Sequence, residues 1–259
     1  MPTTGDPFMW ALGTGVLIGA AWPWLMAGGT VLAIPALLAV IGLKHPRVAL
    51  GTSLMAMSSV AFIGTTFYAW RRSIDWLGTL DFTVPALAGL ELERGLGFGL
   101  PLRVRLIILG CLLLLTSAFM LSLPESEDAC LPGYSRSRSL LVPWGLIVGI
   151  LGGWFGLGGG LLVMPTLLLS GLPLVAAAGS SFVSITSLGI ANALPYATQD
   201  YVHWTILGLF LLGVAMGMGL SVVLIRKIGY PRSLSRMATY GLVLISLLII
   251  GVDVHGLYT

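Results

Sequence analysis

Two short stretches of the 259-residue chain combine residue types that suit the binding of an anion. The first is Gly152-Gly153-Trp154-Phe155-Gly156-Leu157-Gly158-Gly159-Gly160, six glycines in nine positions, followed by an apolar run containing Pro165. Each glycine costs a helix about 1 kcal/mol against alanine, so such a cluster marks backbone that turns, unwinds or approaches a ligand closely. Unwinding frees N–H groups, and a helix resuming near Leu161 adds its positive end, which together bind an anion without a basic side chain. Close helix packing is the competing reading: Gly149/Gly153, Gly156/Gly160 and Gly213/Gly217 all have the spacing of tight helix contacts, and for the last pair packing is the expected role.

The second stretch is Ala178-Gly179-Ser180-Ser181, matched earlier in the chain by Leu50-Gly51-Thr52-Ser53. Hydroxyls at a helix start either cap N–H groups or bind an oxyanion, and both roles stay open at this point. With the glycines at 28, 29, 158, 159 and 160, and with Thr30 and Asn192, these four hydroxyl residues form the expected substrate-binding set: Gly28, Gly29, Thr30, Thr52, Ser53, Gly158, Gly159, Gly160, Ser180, Ser181 and Asn192. Asn192 could donate to a ligand or make a single interhelical hydrogen bond. Asp81 and Glu91 are the candidate carboxylates for a coupling ion, against a helix with a wet end as the simpler explanation. His203 is expected to be a solvated boundary histidine, and Tyr68, Tyr196, Trp76 and Trp204 interfacial anchors.

Other chemistries are poorly served. The glycine cluster has no Gly-Lys-Ser or Gly-Lys-Thr closing it and no preceding strand, so it is not a nucleotide loop. Histidines at 45, 203 and 255 form no metal-ligand motif and no acid–base pair shares a site, so neither a metal, a cofactor nor catalysis is expected. Cys111 and Cys130 have no framework or metal spacing and are expected to be free thiols. The formal charge of +3 comes from basic residues at segment ends, which decorate a membrane protein and leave no nucleic-acid footprint.

The elements that must carry these residues are membrane helices. Hydrophobic residues make up 57% of the chain, charged residues 9%, and mean hydropathy is +0.99, where a soluble domain carries roughly 25% charged residues. Lipid tolerates no unpaired backbone, so long charge-free runs read as helices of roughly 20 residues. No Asp, Glu, Lys or Arg occurs at 7–43, 48–70, 106–123, 201–225 or 237–252, nor across the 61 residues of 139–199. The first run has Asp6 and no basic residue before it and no evident cleavage site, so it is expected to be a membrane segment and not a leader.

The runs repeat. A shift of 130 places Gly15, Gly19, Trp24, Gly28, Gly29 and Pro35 on Gly145, Gly149, Trp154, Gly158, Gly159 and Pro165. A shift of 128 then places Ala49, Gly51, Ser53, Tyr68, Ala69 and Trp76 on Ala177, Gly179, Ser181, Tyr196, Ala197 and Trp204. The expected fold is therefore an all-α polytopic membrane protein of two homologous halves, 1–123 and 142–259, joined by a polar connector at 124–141. Each half has a Gly-broken, re-entrant or once-crossing first segment, then three transmembrane helices at 49–70, 76–94 and 106–123, and at 177–199, 203–225 and 237–252. If each opening segment crosses once, basic residues divide nine against four; if each returns to its own side, the halves are inverted and the division is five against eight. Charge alone mildly favours the first arrangement; inverted repeats are frequent in transporters.

With Gly156-Leu157-Gly158-Gly159-Gly160, Pro165, Gly171, Ala177 and Gly179-Ser180-Ser181 in this order and spacing, the chain resembles the TauE/SafE, or sulfite exporter, family of anion permeases. The first half repeats the pattern as Gly28-Gly29, Pro35, Gly42, Ala49 and Gly51-Thr52-Ser53, with Met26 and Thr30 where the second half has Gly156 and Gly160. The resemblance covers nearly the whole chain. It implies multi-pass transport in a bacterial inner membrane, of sulfite or of an organosulfonate such as sulfoacetate. The expected function is thus a secondary carrier moving a small anion by alternating access, with the lipid bilayer as its surroundings, no nucleic acid, and homo-oligomer formation left open. An anion channel, or a membrane scaffold aiding maturation of another protein, is the rival reading.

Overall fold

The computed structural model describes residues 7–25, 46–96, 108, 110–112, 114–116, 118, 140–155 and 160–228. Among the described residues every regular element is helical: α1 Pro7–Leu25, α2 Pro46–Trp70, α3 Trp76–Leu96, α4 Leu141–Phe155, α5 Gly160–Leu169, α6 Leu174–Ala197 and α7 Trp204–Ile228. Positions 108, 110–112, 114–116 and 118 are helical as well. Stretches Leu50–Trp70, Leu174–Ala197 and Trp204–Ser221 are long and apolar enough to cross a bilayer, and Met9–Ala20 and Leu141–Trp154 are shorter apolar helices. The chain is a multi-pass membrane protein in which α2, α3, α6 and α7 lie within a few residues of the helices expected at 49–70, 76–94, 177–199 and 203–225, while the helix expected at 237–252 lies outside the described residues.

The ends of α2 and α6 have the same construction. Arg72 (φ 53°) and Asp200 (φ 56°) adopt the left-handed conformation just past the two helices. Ser73 N–H then reaches the Tyr68 carbonyl and Tyr201 N–H the Tyr196 carbonyl, at 3.1 and 2.8 Å, which satisfies carbonyls that the helix end leaves free. Gly171 (φ 84°) ends α5 in the same way, and four residues later α6 has begun and packs back on α5.

Glycines set which helices touch. On α1, a Cβ at Gly15 would collide with the Phe210 carbonyl and one at Gly19 with the Val214 backbone, while Gly213 and Gly217 on α7 face Leu12, Val16 and Ala20 of α1. These two helices therefore run parallel with their backbones in contact, the arrangement expected of small residues four apart. Gly145 and Gly149 of α4 meet the carbonyls of Phe82 and Ala86 on α3, and Gly89 meets Leu146, so α3 and α4 are parallel too. Gly51 lies against Tyr196 and Gly179 against Tyr68, with Ser58 on Gly189 midway, so α2 and α6 pack antiparallel. Tyr68 stacks on Phe182 at 5.5 Å and, like Tyr196, closes over a glycine; the two tyrosines are packing residues and not only interfacial anchors. Trp76 and Trp204 are exposed at helix starts, as anchors should be.

The direction of α2 and α6 corrects one expectation. Residues related by the 128 shift lie on helices of opposite direction, so the once-crossing arrangement that charge mildly favours is not the one adopted. The physical reason lies in α4 and α5. Helix α4 runs parallel to α3, and so to α6, and the chain then returns through α5 to the starting end of α6. Thirteen basic residues are too few to decide between arrangements that differ by one turn of the backbone inside the membrane.

Candidate functional site

Each expected site residue has a definite place where the described residues include it. Gly28, Gly29, Thr30, Gly158 and Gly159 lie outside the described residues. Gly160 is buried and is the first residue of α5. Ten residues of helix span about 15 Å, and α5 ends at the turn into α6, so its first turn lies inside the bundle. Its N–H groups are among the four at a helix start that have no intrahelical acceptor.

Thr52, Ser53, Ser180 and Ser181 are all buried. Ser180 Oγ accepts the Asp75 N–H at 3.2 Å, and Thr52 Oγ1 accepts the His203 N–H at 3.0 Å while donating to the Val48 carbonyl at 2.7 Å. Asp75 and His203 each immediately precede a helix, α3 and α7 respectively. Thr52 on α2 thus fixes the start of α7, and Ser180 on α6 fixes the start of α3. Ser181 Oγ donates to the Ala178 carbonyl at 2.7 Å. Of the hydroxyls that the sequence offers as oxyanion ligands, Thr52, Ser180 and Ser181 are in this structure bonded to backbone groups, Thr52 and Ser180 each at the start of a helix distant in sequence. His203 is exposed and its Nδ1 accepts the Ile206 N–H at 3.5 Å, a helix cap and not a relay.

Asn192 is buried on α6, and its Nδ2 donates to the Gly152 carbonyl at 3.4 Å. That carbonyl belongs to the last turn of α4, where intrahelical donors run out. Glu93 of α3 lies beside Gly153, and Arg94 Nη2 donates to the Ala191 carbonyl at 2.6 Å while Nη1 pairs with Glu91. The ends of α3, α4 and α6 therefore meet around Asn192. Glu91 is part of an ion pair and Asp81 is half-buried in the second turn of α3.

Two further contacts had no sequence signal. Thr83 on α3 and Ser184 on α6 approach to 2.7 Å, and Thr65 on α2 and Thr186 on α6 to 3.3 Å. Ser184 and Thr186 also donate to the carbonyls of Ser180 and Phe182. Each hydroxyl both donates and accepts, so either member of each pair can be the donor across its gap. Toward the end of the bundle where α6 begins, a cleft of about 330 Å³ opens between the α2–α3 and α5–α6 connections, lined by Arg72, Ser73, Asp75, Gly171, Pro173 and Ala176. Among the described residues no His, Cys, Asp and Glu cluster has the makings of a metal site, and Cys111 is an exposed free thiol.

Comparison with known proteins agrees with this architecture. The family model described as sulfite exporter TauE/SafE matches residues 11–249. A probable membrane transporter protein of Xylella fastidiosa (strain Temecula1 / ATCC 700964) is 31% identical over 245 residues, covering 92% of both chains. The probable membrane transporter protein YunE of Bacillus subtilis (strain 168) is 25% identical over 214 residues, 73% of this chain and 78% of its own. No solved structure matches significantly. The match along nearly the whole length, joined to a multi-helix membrane core, places the chain among membrane transporters: it belongs to the sulfite exporter TauE/SafE family.

Proposed function

We propose that this protein is a secondary carrier of a small oxyanion, sulfite or an organosulfonate such as sulfoacetate, built from two inverted halves that alternate access across a bacterial inner membrane. The observation that carries the proposal is the reciprocity of its contacts. Thr52 with His203 becomes Ser180 with Asp75 under the 128 shift, and Gly51 with Tyr196 becomes Gly179 with Tyr68. Gly15 with Phe210 becomes Gly145 with Phe82. Such exchange contacts support a two-fold relation between antiparallel halves, the construction on which alternating access by rocking depends.

The inverted arrangement puts Arg71, Arg72, Arg136, Arg138, Arg226, Lys227, Arg232 and Arg236 on one face and Lys44, Arg47, Arg94, Arg103 and Arg105 on the other. By the positive-inside bias the first face is cytoplasmic, and the 330 Å³ cleft opens there. An anion entering the bundle meets the buried N-terminal turn of α5 at Gly160 and neutral donors, and both suit an oxyanion. On this reading Thr52, Ser53, Ser180 and Ser181 hold the helices around the anion through backbone bonds, with Gly158, Gly159 and Gly160 as its nearest backbone donors.

Counterflow in proteoliposomes decides the matter. Vesicles loaded with unlabelled sulfite or sulfoacetate should accumulate the labelled anion transiently above equilibrium, and chloride or phosphate should not replace it. Passive equilibration without overshoot would mean a channel, and no flux with any anion in the panel would leave the scaffold reading in its place.

A further inference from the structure

Arg94 occupies an unusual electrostatic position. Helices α3, α4 and α6 run parallel, so their C-terminal ends point to the same face of the protein, and each such end carries the equivalent of roughly half a negative charge. Glu91 and Glu93 add carboxylates on the last turns of α3. Pro195 lies inside α6 and has no N–H, which leaves the carbonyl four residues before it, that of Ala191, without its helical donor. Arg94 Nη2 supplies the missing donor at 2.6 Å. The Gly152 carbonyl, in the last turn of α4, takes its donor from Asn192 next along α6. Freed carbonyls, carboxylates and helix C-terminal ends are the groups with which membrane carriers hold a sodium ion.

None of this recurs in the other half. Under the 128 shift Arg94 corresponds to Val222, Glu91 to Gly219, Asn192 to Gly64 and Pro195 to Phe67. The contacts that hold the fold together recur, so this cluster serves something else. Its charge is one cation tethered among the donors of a cation site.

We propose that Arg94 is a built-in cation: its guanidinium stands where the converging ends of α3, α4 and α6 and the Glu91 carboxylate would otherwise take up a free monovalent cation, and transport is consequently independent of a sodium gradient. The same guanidinium ties α3 to α6 at that face. The flux part of this inference rests on the carrier reading above, whereas the binding part does not.

The test is a comparison of cation effects on purified protein. In choline chloride, addition of millimolar guanidinium chloride or sodium chloride at constant ionic strength should leave the Tm of the wild type and of Glu91→Gln unmoved. Arg94→Ala should show a lowered Tm that guanidinium raises in a saturable way, with sodium acting at higher concentration. In proteoliposomes Arg94→Ala should lose flux roughly 10-fold or more, the loss expected when a charged hydrogen bond goes, and guanidinium should restore it. Should Arg94→Ala yield no folded protein, solubilisation in guanidinium is expected to rescue it, and Arg94→Lys should be folded and indifferent to added cations. A Tm of Arg94→Ala that responds to no cation, or an Arg94→Ala protein not rescued by guanidinium, overturns the proposal. So does a wild type stabilised or driven by sodium. Loss of anion counterflow in the wild type with intact guanidinium rescue of Tm would instead remove the carrier reading and leave the cation site standing.

Discussion

The seam between α3 and α6 and the seam between α7 and α2 are related by the 128 shift in sequence, yet they are made of different material. Both begin with a hydroxyl holding the start of the neighbouring helix, Ser180 on Asp75 and Thr52 on His203. From there the α3–α6 seam continues through Thr83 with Ser184 to Arg94 with the Ala191 carbonyl. The positions that the 128 shift relates to these residues hold apolar side chains, Leu211 and Ala56, then Val222 and Ile63. What recurs is what the fold requires: backbone contact at glycines and the fixing of helix starts. What does not recur is polar, and lies along one face of α6. Water replaces a hydroxyl pair or a charged strap when helices part, whereas it cannot replace apolar contact, so on the proposed carrier reading the polar seam is the one suited to open.

The largest expected effect comes from the recurring part. Gly149→Val on α4 and Gly19→Val on α1 each drive a branched side chain into a neighbouring backbone, at Ala86 and Val214 respectively. Side chains there have no room to adjust, so each should destabilise by about 3 kcal/mol, the upper range for overpacking, seen as loss of monodisperse protein in detergent. Gly13→Ala, with open space around it, should be neutral or stabilising by up to about 1 kcal/mol. Tolerance of Gly149→Val beside damage from Gly19→Val would break the equivalence of the α3–α4 and α1–α7 contacts.

How much of this the sequence discloses depends on the range of the interaction. Helix positions follow from charge-free runs because burial in lipid acts on every residue, and the packing role of Gly213 and Gly217 follows from spacing on a single helix. The destination of Ser180 and Thr52 was not legible. A hydroxyl at a helix start signals a cap, but which helix it caps depends on neighbours more than a hundred residues away in sequence. Helix direction was hidden too, since it turns on backbone reversal between α4 and α5. Arg94 did leave a trace: Pro195 implies a carbonyl at Ala191 in need of an external donor, and the one basic residue of α3 is a ready source.

A smaller effect separates capping from anion contact. Ser180→Ala and Thr52→Val each remove the acceptor of one N–H at a helix start, which is worth about 1 kcal/mol. Both should lower Tm by similar amounts, with anion affinity changed less than threefold. A fall in affinity of roughly 10- to 150-fold at unaltered Tm would return the hydroxyl to the substrate. A stability loss in only one of the pair would show that the two ends are not fixed alike.

The smallest effect on stability should accompany the clearest effect on function. Thr83→Val and Ser184→Ala together give the α3–α6 seam the apolar character that Leu211 and Ala56 give its counterpart. Interhelical hydrogen bonds inside membranes average about 0.6 kcal/mol in double-mutant cycles, so the coupling between the two positions should be of that size and the double variant should fold normally. Thr83 and Ser184 bond to each other inside the bundle, so Ser184→Ala alone leaves the buried Thr83 hydroxyl without that partner. Ser184→Ala should therefore be less stable than the double variant, in which no donor is stranded. If the seam parts during transport, the parted state of the wild type exposes hydroxyls that water satisfies, and that of the double variant exposes apolar surface that water does not. The double variant should accordingly transport several times more slowly at nearly wild-type Tm. Unchanged flux with a clear loss of stability would make the α3–α6 seam scaffold, and would move the opening interface to another pair of helices.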